Sequence, residues 1–302
     1  MPTAMTTLYH LFAALVGLTI GSFLNVVIAR VPEGRSVVHP GSSCPNCRSQ
    51  IRWYDNVPVL SWLVLRGRCR ACRWPIPSRY PTVELLTGLL FFAVARTQPP
   101  GLWTLALLVF VSLLVAATYI DLDHWIIPHV LTWPGIAIGL AANTFSPGRS
   151  WRDAAIGVGS GFLVFALVGW FGSKLFKKEA LGQGDWWFLA MIGAFLGWQA
   201  ILPVILLSSL QGALVGGLLM FLGRRLGQHE PRAEGERSGN AVAVKKDAET
   251  PADDGEDEED DWEPPAHAVP FGPFLALAAL EQLFFGELLA DWHLRAVAAL
   301  VG

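Results

Sequence analysis

Long apolar runs separated by short polar segments dominate this chain. Eight of them can be placed, at residues 8–29, 82–97, 102–120, 125–143, 153–172, 186–198, 200–222 and 271–290. A transmembrane helix requires about 20 consecutive apolar residues. The pattern therefore predicts an all-α fold, a polytopic membrane helix bundle with about eight transmembrane helices. If the short run at 186–198 forms a re-entrant hairpin with its neighbour, the count becomes seven.

Composition and basic residues support this topology. The 302 residues are 53% hydrophobic and 16% charged, with a mean hydropathy of +0.43, which is too apolar for an ordinary soluble domain. With eight spans, the loops 30–81, 173–185 and 223–270 carry 18 of the 22 Lys and Arg residues. Because basic loops stay inside, we expect these loops in the cytoplasm. The first run lacks a preceding basic residue and a cleavage site, so it is predicted to be a retained helix.

Acidic residues are concentrated in one segment. Residues 230–263 hold 14 of the 25 acids and four bases, a local charge of −10, and no apolar face. We expect disorder there, and a solvated linker is the simpler alternative to a docking site for a basic partner. The predicted domains are a first transmembrane helix at 1–29, a cytoplasmic tetracysteine loop at 30–81, a transmembrane core at 82–227, an acidic linker at 228–266, and a last helix with the C-terminus at 267–302.

All four cysteines lie in the first cytoplasmic loop. They form two Cys-x-x-Cys pairs, Cys44 with Cys47 and Cys69 with Cys72, with 21 residues between the pairs. Two such turns direct four thiolates at one metal ion, and four protein ligands leave no open position, which indicates structural zinc. Two disulfides are the alternative, but cytoplasmic thiols are kept reduced. The sequence therefore predicts a small zinc-binding loop domain.

Two carboxylates mark the boundaries of apolar runs. Asp121 ends the run from 102, and Asp185 closes Gly182-Gln183-Gly184-Asp185 before another run. Two acids brought together cannot both ionise easily, as in an aspartic protease dyad. The first hypothesis is thus a membrane aspartyl protease. Gly182 and Gly184 lack a Cβ, so the backbone there can take a positive φ and lie close to a substrate chain.

Several segments together resemble the type 4 prepilin leader peptidases, which are bifunctional prepilin peptidase and N-methyltransferase enzymes. The similar segments are, in order, 21–32, 53–62 between the cysteine pairs, 79–88, 120–121 with 127–128 and 131–132, 182–185, and 270–276. The register of the first catalytic motif selects Asp121 over Asp123. The family usually has Lys two positions after the second aspartate, whereas this chain has Trp187.

The resemblance implies a fold, a reaction and partners. Asp121 and Asp185 would hydrolyse the bond after a Gly that ends a basic leader, with one acting as base and the other as acid in an order left open. The chain would then methylate the new N-terminus with S-adenosylmethionine, and Glu84 is a weak candidate for contact with that donor. The expected partners are prepilins or pseudopilins, the lipid bilayer and the pilus or type II secretion machinery, with no nucleic acid. The location would be the bacterial inner membrane, with the active site at its cytoplasmic face.

Two other classes remain open. A cation-coupled transporter also places carboxylates in a helical bundle, but it should show paired internal repeats with broken helices. A non-catalytic subunit of a secretion or pilus assembly machine would account for the zinc loop and the acidic segment without any chemistry.

Overall fold

The computed structural model describes residues 3–176, 182–225 and 269–301, and within these ranges the chain is helical, without strands. The predicted all-α class is confirmed. Two short 3₁₀ turns occur at Trp53–Asn56 and Trp198–Ala200. The helices are α1 (Thr3–Arg30), α2 (Leu60–Val64), α3 (Arg79–Thr97), α4 (Leu102–His124), α5 (His129–Phe145), α6 (Trp151–Phe176), α7 (Gln183–Leu196), α8 (Ile201–Arg225) and α9 (Gly272–Val301).

Four helical stretches of the described chain are long and apolar enough to cross a membrane. They are Ala4–Arg30, Leu102–His124, Trp151–Leu175 and Trp198–Leu222. By contrast, α7 has 14 residues, which at 1.5 Å per residue is about 21 Å against a hydrocarbon core of about 30 Å. The eight long helices coincide with the eight predicted runs, but the count of eight spans stays a prediction.

The chain divides into two compact units. The first comprises residues 1–212 and 270–302, and the second comprises residues 213–269. The predicted acidic linker at 228–266, with its expected disorder, lies outside the described residues.

Helix α4 forms the centre of the first unit, where it packs against α1, α3, α5 and α9. Its side chains Leu107, Phe110 and Leu114 are fully buried, and Phe110 stacks on Phe195 of α7 with ring centroids 4.5 Å apart. Large apolar side chains also cover the outer surface, among them Leu105 and Leu163. An apolar exterior around satisfied helical backbones is what a bilayer requires.

Glycines bring two helix pairs into close contact. A Cβ on Gly21 of α1 would lie 2.7 Å from the Cα of Glu84 in α3. One on Gly193 of α7 would lie 2.2 Å from the carbonyl oxygen of Gly157 in α6. Only small residues allow helix backbones to approach this closely in a membrane. These contacts fix α3 on α1 and α7 on α6, and so position the carboxylates that α3 and α7 carry.

Several helix termini meet at one end of the first unit. The side-chain amide of Asn25 in α1 donates a hydrogen bond of 3.1 Å to the carbonyl of Tyr80 at the start of α3. Arg79, the first residue of α3, forms an ion pair with Asp123 in the last turn of α4. That turn also contacts the start of α9. The cysteine loop between α1 and α3 and the aspartates therefore lie at the same end.

Candidate active site and metal centre

Asp121 lies in the last turn of α4 and is only 5% exposed. The helix ends three residues later at His124, and the next residue, Trp125, takes the left-handed conformation with φ 57° and donates its N–H to the Asp121 carbonyl over 2.9 Å. A buried carboxylate that lacks a cationic partner needs hydrogen-bond donors instead. The structure supplies one from a distant part of the chain.

The donor is the backbone N–H of Gly272, the first residue of α9, which lies 2.9 Å from Oδ2 of Asp121. The start of a helix presents free N–H groups and a partial positive charge, and both stabilise a carboxylate. A Cβ at residue 272 would lie 2.5 Å from the same oxygen. Glycine is therefore the residue that allows α9 to approach Asp121.

Asp185 lies in the first turn of α7, where its N–H donates to the carbonyl of Gly182 over 3.1 Å. It is half-buried, and its carboxylate lies close enough to Asp121 for the two charges to repel each other. The fold thus brings together the two aspartates selected from the sequence. Such a pair favours a state with one shared proton, which is the arrangement needed for general acid and base catalysis.

The two glycines before Asp185 do not adopt the positive φ suggested for them. Gly182 has φ −64°, and both residues are absent from the left-handed positions of the described chain. Gly184 is already part of α7. A Cβ built on Gly184 would lie 3.1 Å from the Cβ of Ile127, so the glycine leaves room for Ile127. The sequence predicts a close backbone approach at Gly184, and the structure shows one, but the segment that approaches is the chain's own loop between α4 and α5.

Asp123, the competing acid, points elsewhere. It is exposed and paired with Arg79, whose guanidinium also lies 5.2 Å from the ring centroid of Tyr119. Residues two apart on a helix face different directions. Asp123 therefore joins α4 to α3, while Asp121 faces α7 and α9.

Trp187 occupies an aromatic cluster beside the aspartates. Its ring lies 4.7 Å from that of Phe162 in α6, 5.6 Å from that of Trp133 and 6.2 Å from that of His129, both in α5. Such ring pairs at 4.5–7 Å are favourable packing contacts. The family that the sequence resembles usually carries a lysine at this position. In this chain the position holds a tryptophan of α7 whose indole packs against α5 and α6.

The four cysteines form two equivalent turns. In the first, Cys44 N–H donates to the carbonyl of Ser49, and in the second, Cys69 N–H donates to the carbonyl of Trp74, over 3.0 and 2.8 Å. The residue after each pair is an arginine in the left-handed conformation, Arg48 with φ 57° and Arg73 with φ 62°. Each turn thereby directs two thiols to the same side.

The four sulfurs converge on one point. They all lie within 4.8 Å of one another, and Sγ of Cys44 and Sγ of Cys72 are 3.7 Å apart. Four sulfurs at 2.3 Å from a tetrahedral metal would be separated by about 3.8 Å, whereas a disulfide requires about 2.05 Å. All four are free thiols in the structure. The cluster can hold one metal ion such as zinc.

Local hydrogen bonds favour the thiolate form that a metal needs. The Ser49 hydroxyl, 3.0 Å from Sγ of Cys47, and the Ser49 backbone lower the pKa of Cys47 to about 6. The backbone N–H groups of Cys72 and Ala71 lower the pKa of Cys69. Donors that point at sulfur stabilise its charged form. At Cys44 the backbone N–H of Cys47 acts in the same direction, but burial and the neighbouring thiols of Cys47 and Cys69 raise its pKa to about 11. Two of the four thiols, Cys47 and Cys69, are thus biased toward the form that ligates a cation.

Two residues of this region were not given a role from the sequence. Gly272 lies in the recognised 270–276 segment, but only the fold shows that its N–H meets Asp121. Arg79 also lies in a recognised segment, and its pairing with Asp123 needs the antiparallel arrangement of α3 and α4. A short connection between two helices signals such an arrangement, and here residues 98–101 provide it.

Comparison with known proteins gives a consistent result. Residues 15–97 match the bacterial peptidase A24 N-terminal domain, and residues 108–217 match the type IV leader peptidase family. The chain is 43% identical to a prepilin leader peptidase/N-methyltransferase of Myxococcus xanthus, over 100% of this chain and 98% of that protein. Proteins with the same description are 40% identical in Aeromonas hydrophila (95% and 94% of the chains) and 34% identical in Stutzerimonas stutzeri (95% and 94%). No solved structure matches the chain significantly.

Proposed function

The chain belongs to the type IV leader peptidase family, and from this membership we propose that it removes the leader of type IV prepilins or pseudopilins after the leader's final Gly and then methylates the new N-terminus. Asp121 and Asp185 are the catalytic pair. The relatives that span nearly the whole chain carry both activities in their description, and neither the transporter nor the assembly-subunit alternative is favoured.

The pair cleaves the peptide bond by general acid and base catalysis. One carboxylate, ionised, takes a proton from water, while the other, protonated, donates to the scissile carbonyl. The contact from Gly272 makes the pair asymmetric, because an N–H donor favours the charged form of the oxygen it meets. We therefore assign the ionised role to Asp121 and the proton-donating role to Asp185. Gly182 borders this site and leaves room for the substrate backbone, whereas Gly184 holds α7 against Ile127 beside it.

The remaining assignments follow the same proposal. The protein is placed in the bacterial inner membrane, with the pair and the cysteine loop at the cytoplasmic face, as the distribution of basic residues indicates. Zinc is the metal of the four-cysteine cluster, where it would hold the two turns together without taking part in chemistry. S-adenosylmethionine, when bound, supplies the methyl group. The substrates come from pilus or type II secretion systems.

One observation carries the peptidase assignment: two carboxylates from helices far apart in the chain lie within electrostatic reach of each other, and one of them accepts a hydrogen bond from the start of α9. The test is cleavage of a purified prepilin by the full-length protein in detergent. Asp121→Asn and Asp185→Asn should each abolish cleavage, because an amide keeps the shape but cannot exchange the proton.

The matched control is Asp123→Asn, since that acid is two residues away and faces Arg79. It should retain substantial cleavage. Correct insertion is checked by the same detergent extraction and elution volume for all variants. Wild-type cleavage in either of the first two variants would overturn the assignment.

A further inference from the structure

A second candidate site lies between the ends of α1 and α3 and the cysteine loop. It is a cavity of about 920 Å³, within the range of pockets that hold small-molecule ligands. Its walls combine aromatic rings, basic side chains and two acids, Asp55, which is paired with Arg70, and the buried Glu84. The lining includes the side chains of Trp62, Trp74, Tyr80, Arg30, Arg35 and Glu84.

Glu84 is a buried acid that the peptidase mechanism does not use. It is 8% exposed, and its Oε2 accepts the backbone N–H of Val59 over 2.7 Å. The hydroxyl of Ser22 in α1 also hydrogen-bonds to it. A carboxylate offers about four acceptor positions, so these two donors leave acceptor capacity free. No basic side chain of the described residues forms an ion pair with Glu84.

The loop segment that meets Glu84 is strained. Val59 has φ 60° and ψ −49°, a conformation that is an outlier for a β-branched residue. Strain of this kind persists only where the surrounding structure holds the chain in place. Here the contact with Glu84 holds it, and both residues line the cavity. The loop is thereby fixed over the cavity in one arrangement.

We propose that this cavity binds S-adenosylmethionine and that the carboxylate of Glu84 pairs with the sulfonium cation. The proposal rests on the methyltransferase part of the proposed function. The ligand carries a sulfonium and an ammonium group, a carboxylate and an adenine ring. The cavity offers a buried anion for a cation, Arg30 for the carboxylate, and Trp62, Trp74 and Tyr80 for stacking with the adenine. Arg35 also lines the cavity, but it is already paired with Glu33.

The position suits the reaction. The α-amino nitrogen forms a bond to the methyl carbon while the carbon–sulfur bond breaks, and its electron pair stays on sulfur as a neutral thioether. The nitrogen then releases one proton to solvent. Because the positive charge leaves the sulfur, a carboxylate beside it binds the substrate form more tightly than the product form and so favours product release. Glu84 is a donor-binding residue in this scheme and exchanges no proton.

The simpler interpretation is that Glu84 only secures Val59. The substitution Glu84→Gln separates the two, because the amide oxygen can still accept the Val59 N–H while the negative charge is removed. Glu281→Gln is the control, since Glu281 is also a helical acid that accepts a hydrogen bond of 2.7 Å, from Gln211, although it is half-buried where Glu84 is buried. It lies on α9, outside the cavity lining.

The experiment measures equilibrium binding to the full-length, zinc-loaded protein in nanodiscs. The three ligands are S-adenosylmethionine, S-adenosylhomocysteine, whose sulfur is neutral, and sinefungin, which has an amine in place of the sulfonium. Glu84→Gln should weaken the two cationic ligands by roughly tenfold or more, as expected for the loss of a buried ion pair. The neutral product should lose less than about threefold, and the control should match wild type.

Equal weakening of all three ligands, or no weakening, would overturn the role of Glu84. The site itself is tested by ultraviolet crosslinking of methyl-tritiated S-adenosylmethionine, followed by identification of the labelled peptides. Label should fall within residues 22–84 and should be competed by S-adenosylhomocysteine. Label confined to peptides of α4 to α9 would overturn the location.

These outcomes separate the inference from the proposed function. If the protein methylates a cleaved prepilin but Glu84→Gln binds all three ligands as wild type does, the role of Glu84 fails and methylation stands. If the protein cleaves prepilin but neither binds nor crosslinks the methyl donor at any concentration tested, the methyltransferase assignment fails and the cavity proposal fails with it.

Discussion

Replacing Gly272 by alanine is the most direct structural test of how the peptidase site is built. The new Cβ would lie 2.5 Å from Oδ2 of Asp121, 3.0 Å from Cδ1 of Ile127 and 3.1 Å from Cγ of Asp121. Ordinary carbon–oxygen contacts are about 3.3–3.6 Å. The carboxylate or the start of α9 therefore has to move by roughly 1 Å. A shift of that size breaks the 2.9 Å bond from the residue 272 N–H.

Two independent magnitudes agree on the expected effect. A hydrogen bond to a charged group contributes about 1.5–3 kcal/mol, which corresponds to roughly 10- to 150-fold in rate. A displacement of about 1 Å at a catalytic group costs about 100-fold. Gly272→Ala should therefore lower kcat for leader cleavage by roughly 10- to 100-fold, with little change in KM, because the perturbed oxygen belongs to the proposed catalytic pair and not to the proposed substrate path.

The assay is steady-state cleavage of purified prepilin, with methylation of an already cleaved pilin measured in parallel. Gly159→Ala is the matched control, since a Cβ there would meet nothing within 4 Å, and it should behave as wild type. Gly184→Ala should fall between the two, because its Cβ would lie 3.1 Å from Ile127 and only a small shift is needed. Wild-type cleavage by Gly272→Ala, or loss of methylation in proportion to cleavage, would refute the argument.

Three further predictions concern the metal, the aromatic cluster and the acidic segment. The purified protein should contain about one zinc per chain by plasma mass spectrometry, and the variants Cys44→Ser and Cys69→Ser should lose this zinc. These variants should also lose methylation before they lose leader cleavage. Two disulfides in non-reducing mass spectrometry would reject the site. Trp187→Lys should lower the free energy of unfolding by about 1–3 kcal/mol in thermal unfolding, because it removes the contact with Phe162. The rate of leader cleavage should stay within about threefold of wild type. A gain in stability would show that the cluster is not favourable packing. A neutral Gly/Ser linker in place of residues 230–263 should leave kcat nearly unchanged; if the acidic segment steers basic leaders, only kcat/KM should fall, and that difference should shrink at high salt. A salt-independent loss of kcat would contradict a disordered linker.

The parts of the site that were predictable have a local signature. Each cysteine turn closes through hydrogen bonds between residues at most five apart, such as Cys44 N–H to Ser49, so spacing alone indicates the cluster. Asp121 and Asp185 stand at the ends of apolar runs, and the cost of burying a charge makes such positions conspicuous. Their catalytic roles stay predictions, whereas their proximity is now a property of the fold.

Helix ends were less predictable, because hydropathy and backbone geometry are different signals. The apolar run 102–120 continues as α4 to His124, since helical hydrogen bonds do not require apolar side chains. Asp121 is therefore inside the last helical turn and not beyond it. The run beginning at 125 becomes helical only at His129, after Trp125 has reversed the chain and Pro128 has fixed the start of α5.

Contacts between segments that are far apart in the chain could not be predicted from the sequence. The bond from Gly272 to Asp121 joins residues 151 apart, and a glycine before a proline suggests a turn before it suggests a donor. The same limit applies to Gly182 and Gly184: absence of a Cβ permits both a positive φ and a close approach. Only the packing of Ile127 on Gly184 decides which of the two is used.

The placement of both sites at one end of the bundle follows from the order of the reactions. The amine that accepts a methyl group does not exist until the leader is removed, so the cleaved chain has to move from the aspartates to the cavity beside the cysteine loop. Arg79 links the two regions, because it starts α3 next to the cavity residue Tyr80 and pairs with Asp123 two positions after Asp121. Because both sites lie at the same end of the bundle, the cleaved chain can make this move without carrying a charged N-terminus through the hydrocarbon core. Since burying such a charge costs several kcal/mol, two sites at opposite ends would make the second reaction inaccessible to the product of the first.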